Sequence, residues 1–389
     1  MKREISYRGI FARIAKTLTS LATLALISVT VQAAPPGYIQ TNLVSNIPGL
    51  ALHTDPLMLN PWGVAFFSGA SPFWINENNA GVSSLIDGMG NPFPGLSSVI
   101  IPAPSSPTGG SPTGIIANTF AVFNTGDGAF QIPGPNGTSF GPALFIFATE
   151  DGTIAAWNTA PFALPGLPDP SSAVIVVDKS NGGSADGAVY KGLALANVSG
   201  TPYLYATNFR SAKIDVFDTN FHEVHLMDSF TDPKMEHNYA PFGITNIDGN
   251  LWVTYTVQDQ AKHDPVNRPN HGIIDVFDSN GNFIRRFVSH NRLNSPWAVV
   301  KTPDSFGALG GKILVGNFGD GRIPAYDPVT GDTKGYLRNT NGQMISLPGL
   351  WALTFSDAIG AVPNTLYFTA GINHEKDGLF GSFTPEQSR

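Results

Sequence analysis

The sequence predicts an all-β, six-bladed β-propeller of four-stranded antiparallel blades, and three observations predict it. Six times an apolar run opens on a small residue beside an aromatic or turn residue; between Gly63, Gly114, Gly192, Gly243, Ala298 and Ala352 the spacings are 51, 78, 51, 55 and 54 residues. A period near fifty marks a repeat architecture. After each opening come β-branched and aromatic runs of four to six residues, punctuated by Asp-Gly, Asn-Gly or Pro-Gly, which is a strand pattern. No amphipathic stretch of period 3.6 follows the first thirty or so residues. Four strands per repeat, six times over, read as a propeller; seven blades, a β-solenoid and paired sandwiches are the competing architectures.

Taken in order, the chain begins with Lys2, Arg3, Arg8, Arg13 and Lys16, an apolar stretch from Leu18 to Val31, and Val31-Gln32-Ala33. That is the layout of a secretory signal peptide over residues 1–33, with cleavage expected after Ala33. Residues 34–389 form one propeller domain. Tyr38-Ile39-Gln40-Thr41-Asn42-Leu43 is placed to complete the blade that ends near Phe383. The related openings are Asn60-Pro61-Trp62-Gly63-Val64, Ala240-Pro241-Phe242-Gly243-Ile244, Ser295-Pro296-Trp297-Ala298-Val299 and Gly349-Leu350-Trp351-Ala352-Leu353, with weaker members at Thr113-Gly114-Ile115 and Lys191-Gly192-Leu193. Third strands end in an aromatic followed by Asp or Asn, and Ile-Asp-Val-Phe-Asp occurs at 214–218 and again at 274–278. The long second interval carries loop insertions at about 102–142 and 160–187, expected to form a lid over one end of the channel.

Composition narrows the function classes. Charged residues are 13% of the 389, Gly (42) and Pro (31) are abundant, and Cys is absent. Neither disulfides nor thiolate metal sites are available. Loss of residues 1–33 removes five basic residues and one acidic residue, taking the formal charge from −7 to −11. That balance argues against nucleic acid or an anionic membrane as partner. No later segment is long and apolar enough to span a bilayer, so the mature chain is expected to be a soluble monomer outside the cytoplasm, periplasmic or extracellular.

The unit Ala240-Pro241-Phe242-Gly243-Ile244, Leu251-Trp252-Val253 and Ile274-Asp275-Val276-Phe277-Asp278 resembles the NHL repeat. Over about Tyr38 to Phe383 the chain resembles a family of exported bacterial proteins that often bear a PEP-CTERM sorting tail, on Asn60-Pro61-Trp62-Gly63, Phe147-Ala148-Thr149-Glu150-Asp151-Gly152-Thr153-Ile154-Ala155-Ala156-Trp157 and Asp377-Gly378-Leu379-Phe380-Gly381. The resemblance implies the fold and export, and no activity. The sequence ends in Thr384-Pro385-Glu386-Gln387-Ser388-Arg389 without that tail, so anchoring by that route is not expected.

Propeller sites gather where the loops between blades and the turns between second and third strands meet. Two candidate sets fall there. His53, His237 and His290 precede blade openings and form a candidate Zn set. Asn76, Glu77, Asn208, Arg210, Asn317, Asp320, Asn373 and Glu375 sit in the second-to-third-strand turns. Their hard oxygens suit Ca²⁺ or a polar ligand, and Asx turns are the bland alternative. Trp62, Phe242, Trp297 and Trp351 read as core, and Glu150-Asp151-Gly152 as a hairpin turn. With no nucleophile elbow, phosphate loop or His-Glu-x-x-His motif, two readings stand. The first is a binding or scaffold module for a small molecule or an extracytoplasmic protein or glycan. The alternative is a metal-dependent (Ca or Zn) lactonase- or lyase-type enzyme with Arg210 steering an anionic substrate.

Overall fold

The computed structural model describes residues 37–104, 109–121, 128–133, 139–158, 171–184, 186–226 and 230–386. The expected signal peptide and parts of the expected insertions lie outside them. The chain opens with β1 (Tyr38–Ser45) and β2 (His53–Thr54). Blade one is β3 (Pro61–Ala65), β4 (Phe73–Glu77), β5 (Val82–Ile86) and β6 (Ser98–Ile100). Blade two begins with β7 (Pro112–Ala117), is interrupted by the hairpin β8 (Gln131–Pro133) and β9 (Ser139–Pro142), and continues with β10 (Phe145–Thr149), β11 (Thr153–Trp157) and β12 (Val174–Asp178). Blade three is β13 (Tyr190–Val198), β14 (Thr201–Asn208), β15 (Lys213–Phe217) and β16 (Glu223–Val224). Blade four is β17 (Tyr239–Ile247), β18 (Asn250–Val257), β19 (Ile273–Phe277) and β20 (Phe283–Ser289). Blade five is β21 (Pro296–Lys301), β22 (Ile313–Asn317), β23 (Pro324–Tyr326) and β24 (Thr333–Tyr336), and blade six begins with β25 (Leu350–Phe355), β26 (Leu366–Ala370) and β27 (Leu379–Pro385).

Each blade is an antiparallel sheet in chain order, and the sixth is completed by β1 on the outer side of β27. Tyr38 pairs with Pro385, Gln40 with Phe383 and Asn42 with Gly381, so the two ends of the propeller share one sheet. The Tyr38 hydroxyl locks this closure: it donates to the Phe306 carbonyl and accepts from the Leu309 amide, both at 2.9 Å. The blade count is six.

The repeated small residue has a steric cause. A Cβ on Gly63 would lie 2.6 Å from the Thr113 carbonyl oxygen and one on Gly114 2.7 Å from the Leu193 amide. On Gly243 it would collide with the Trp297 carbonyl oxygen. Here adjacent inner strands touch backbone to backbone, and only the absence of a side chain lets the ring close. The aromatic-Asp ending of third strands also has a local cause. The Oδ1 of Asp218, Asp278 and Asp327, and that of Asp87 after Ile86 in blade one, each accepts two following amides, at 2.8–3.1 Å, and turns the chain into the fourth strand. Aromatic and aliphatic side chains between neighbouring blades form the core, Phe73, Phe147, Phe217 and Phe277 among them, all buried.

The hairpin in the described part of the first insertion does not build the expected lid. Phe130, Ile132 and Ala143, at or beside β8 and β9, are buried against blade three with Phe217 and Phe221, and the Phe130 amide donates to the Thr219 carbonyl at 2.9 Å. This hairpin covers a third-to-fourth-strand turn, at the end of the molecule opposite the start of the inner strands. Among the described residues no helix is long and apolar enough to cross a membrane.

Candidate active site at the channel mouth

Inner strands begin at one face of the ring, which also carries the second-to-third-strand turns and the connections between blades. Directly before the repeated small residue stand Trp62, Thr113, Lys191, Phe242, Trp297 and Trp351. The aromatics fill this end of the channel. Trp62 stacks on Trp351 with ring centroids 3.4 Å apart, and Phe318 stacks on the other side of Trp351 at 4.1 Å. Trp297 meets both tryptophans edge-on and Phe242 leans against Trp351 at 5.8 Å. The Trp351 indole donates to Asn60 Oδ1 at 3.0 Å. As expected from sequence, these rings are core.

Lys191 is the exception in this ring. Its side chain is fully buried, and its ammonium lies 5.1 Å from the Trp62 ring centre and 5.7 Å from that of Phe209. It pairs with Glu150 Oε1 and, at 3.5 Å, with Asp264 Oδ1. Glu150 comes from the β10–β11 turn, and His263 and Asp264 from the long 258–272 loop between β18 and β19, which reaches across the mouth. His263 Nδ1 lies 2.9 Å from Asp264 Oδ1. Asn78 Nδ2 donates to Glu150 Oε2 at 3.0 Å. Glu375, in the β26–β27 connection, accepts from Asn60 Nδ2 at 3.2 Å through its carboxylate and from Asn79 Nδ2 at 2.6 Å through its carbonyl. Blades one, two, three, four and six thus send polar groups to one point above an aromatic floor.

The electrostatics follow from that crowding. The His263 hydrogen bond holds Asp264 down to about 2, and the same bond raises His263. Burial, then the Glu150 charge, pushes Glu375 up to about 7. In blade four burial likewise raises Asp275 to about 7, although Arg286 opposes it. Both carboxyls bind their protons more tightly folded than unfolded. The stability they contribute is therefore complete below the ordinary carboxylate range and is lost as pH rises through about 7. Melting temperature should fall between about pH 4.5 and about pH 7 and level off above that, and Glu375→Gln with Asp275→Asn should flatten the profile. A melting temperature that climbs over this interval would contradict the assignment.

A cavity of about 590 Å³ adjoins the cluster, lined among others by Glu150, Asp151, Ser180, Ser184, Arg210 and His263. Arg210 Nη1 donates to the Gly187 carbonyl at 2.7 Å, which holds the guanidinium at the cavity wall. A larger cavity, about 880 Å³, occupies the opposite end of the channel. Its lining is mostly aliphatic side chain and inner-strand backbone, and its charged lining residues, Asp248 and Lys301, pair with each other at 2.5 Å. The convergent chemistry is at the mouth.

Of the residues expected from sequence, Arg210 and Glu375 reach this region. The three histidines do not come together. His53 is on β2 at the outer edge of blade six, paired with Val44; His237 is exposed in the loop before blade four. His290 is held at both ring nitrogens, by Glu236 Oε1 and the Asn270 carbonyl, each at 2.9 Å. Most of the asparagines hold backbone. Asn76 donates to the Thr113 carbonyl at 3.1 Å, Asn208 accepts from the Val189 amide at 3.4 Å, and Asn317 accepts from the Asn294 amide at 3.1 Å. Asp320 takes the Arg322 amide at 3.1 Å, and Asn373 pairs with Asp377 at 2.8 Å. Glu77 is buried at the end of β4, and burial, then the Asp55 charge, keeps its carboxyl well above the ordinary range. Sequence reasoning missed Lys191, Glu150, His263 and Asp264. The signal was a lysine in a repeat position that is aromatic in four other blades.

One group of side chains among the described residues has metal-ligand spacing: Glu150, His263 and Asp264, whose candidate ligand atoms lie within 4.8 Å of one another. The Lys191 ammonium already pairs with two of these three. Lysine and a divalent ion would compete for the same oxygens, so the donor set fits a metal poorly while Lys191 is in place.

Two uncharacterized proteins of Acanthamoeba polyphaga mimivirus match almost the whole chain. One is 33% identical over 351 residues, covering 89% of this chain and 80% of its own. The chain belongs to that family. The second is 32% identical over 356 residues, covering 89% and 85%. No family model matches. Among solved structures, virginiamycin B lyase from Staphylococcus aureus is 15% identical, covers 90% of this chain and 99% of its own, and has a TM-score of 0.44. A glucose dehydrogenase is 11% identical with a TM-score of 0.48, covering 90% and 100%. A gluconolactonase from Xanthomonas campestris is 12% identical with a TM-score of 0.38, covering 62% and 82%. No residue role passes from these distant likenesses to this family.

Proposed function

We propose that the protein is an exported binding module that takes a small polar ligand at the channel mouth, in the cavity between the Glu150 turn, residues 180–184 and 187–188, Arg210 and the 258–272 loop. The observation that carries this is the convergence of ionisable groups from several blades beside that cavity. Arg210 supplies a cation for an anionic or carbonyl oxygen of the ligand, and Glu150, Asp151 and His263 accept hydroxyl or amine donors. No activated nucleophile stands among them, since the Lys191 ammonium is committed to its carboxylates. Export rests on the charged, apolar and small-residue order of residues 1–33, and the mass of protein recovered outside the cytoplasm checks cleavage after Ala33. The Pro-aromatic-Gly-Ile openings support placing the blades among NHL repeats, and the kinship with exported proteins bearing sorting tails is part of the same proposal.

A thermal-shift screen of the purified protein against sugars, sugar lactones, amino acids and small carboxylates tests the reading. A supporting hit raises the melting temperature saturably in the native protein and loses the effect in Arg210→Met and in Asp151→Asn. A hit that is indifferent to both replacements places the ligand elsewhere and overturns the proposal. The metal-dependent lactonase or lyase reading is the second one, favoured by the Glu150, His263 and Asp264 grouping; it requires an ion to displace Lys191 from its carboxylates.

A further inference from the structure

The cavity at the channel mouth presents two charges that the protein leaves uncompensated. Its ionisable lining groups are Glu150, Asp151, Arg210 and His263. Glu150 pairs with Lys191, and His263 with Asp264. Arg210 and Asp151 enter no ion pair among the described residues, with each other or with any other group. Asp186 and Lys262 share a neighbouring recess with Arg210 and do not line this cavity.

Each of the two is anchored on one side only. Arg210 Nη1 is held by the Gly187 carbonyl at 2.7 Å, while Nε is buried and meets no acceptor among the described residues. Asp151 Oδ2 accepts from the Ser111 amide at 2.6 Å, and among the described residues no donor reaches Oδ1. Ser180 lines the same cavity, is 3% exposed, and its hydroxyl has no hydrogen-bond partner among the described residues. A Cβ on Gly152 would come within 3.0 Å of Ser180 Cα, and one on Gly187 would collide with the Ser180 carbonyl. The turn that carries Asp151 and the backbone that holds Arg210 therefore both pack against this serine. Buried polar groups without a partner are rare in folded proteins, and here two of them, Arg210 Nε and Ser180 Oγ, belong to residues of one cavity wall.

We propose, resting on the reading of the mouth cavity as a ligand site, that its ligand is a small zwitterion of the α-amino-acid class, with the carboxylate on the Arg210 guanidinium and the ammonium on the Asp151 carboxylate. A zwitterion compensates both charges at once, whereas a simple carboxylate leaves Asp151 unpaired and a neutral sugar leaves both. The Ser180 hydroxyl supplies a further donor to the ligand carboxylate. At about 590 Å³ the cavity also has room for a side chain.

Calorimetric titration of the purified protein with glycine, L-serine, L-glutamine and L-phenylalanine, and with the α-amide and the N-acetyl derivative of each, tests it. The expected result is saturable binding of at least one free amino acid, weakened by about tenfold or more when its carboxylate becomes an amide or its ammonium is acetylated. These comparisons use the native protein and do not depend on any variant folding. In Arg210→Met the preference for the acid over the amide should vanish, and in Asp151→Asn the preference for the free amine over the acetylated one. No saturable binding of any of the four, or preferences unchanged in both variants, overturns the proposal. Neutral sugars or sugar lactones that bind saturably and lose the effect in both variants, while the amino acids do not bind, overturn the zwitterion and leave the cavity as the ligand site.

Discussion

Gly243→Ala should cost on the order of 3 kcal/mol or more and leave little folded protein at moderate denaturant. The added methyl would run into the Trp297 carbonyl oxygen of the next blade. Backbone cannot step aside there without parting two inner strands, and with them the wall of the channel. The effect is graded around the ring. Gly63→Ala and Gly114→Ala meet backbone atoms at 2.6 and 2.7 Å and should be costly too, whereas at Gly192 the nearest atom is 3.1 Å away. Gly192→Ala should therefore fall within about 1 kcal/mol of the native protein. Guanidinium-chloride unfolding of the four variants measures the series. Equal costs at 192 and 243 would show that the repeat glycine is kept for some reason other than strand approach.

Lys191→Met is expected to have the second-largest effect, about 3–5 kcal/mol of destabilisation. Methionine fills much of the same volume, so the loss is electrostatic. The ammonium is fully buried, and its removal leaves Glu150, 12% exposed, without its counter-ion beneath the 258–272 loop. Asp264 is 64% exposed and keeps its water. Adding Glu150→Gln to Lys191→Met should recover most of the loss, because the uncompensated charge disappears with it. Urea unfolding of both single variants and the double variant closes the cycle. Additive losses would mean that the pair is not coupled, and the description of the mouth would fail.

The sequence carried the fold because each local signal answers to a local cause. The small residue every fifty positions is a point of strand contact, the aromatic-Asp ending is an Asx-capped turn, and Tyr38 to Leu43 had an unpaired edge waiting at β27. The channel aromatics were legible as core for the same reason. The mouth was not legible, because it is assembled from residues far apart in the chain. Glu150 sits in the turn that its sequence describes, and nothing local to that turn tells of Lys191 forty-one residues later. His263 and Asp264 belong to an irregular loop whose path is set by tertiary packing. The asparagines at second-strand ends pointed to the right face, but there they bind mainly backbone amides and carbonyls. The insertions were expected to form a lid over one end of the channel; the described hairpin of the first packs its apolar residues on blade three, while Pro104 and the 180–184 segment line the mouth cavity. One trace of the site was present in the repeat itself: Lys191 breaks a position that reads Trp, Phe, Trp and Trp in four other blades.

The central claim is that a buried lysine, and not a metal ion, organises the channel mouth. Inductively coupled plasma mass spectrometry of the purified native protein, before and after dialysis against a chelator, tests it most directly. The account predicts no stoichiometric divalent metal and an unchanged melting temperature after dialysis. Near-stoichiometric calcium or zinc, removed by the chelator with a fall in melting temperature, would contradict it and favour the metal-assisted enzyme.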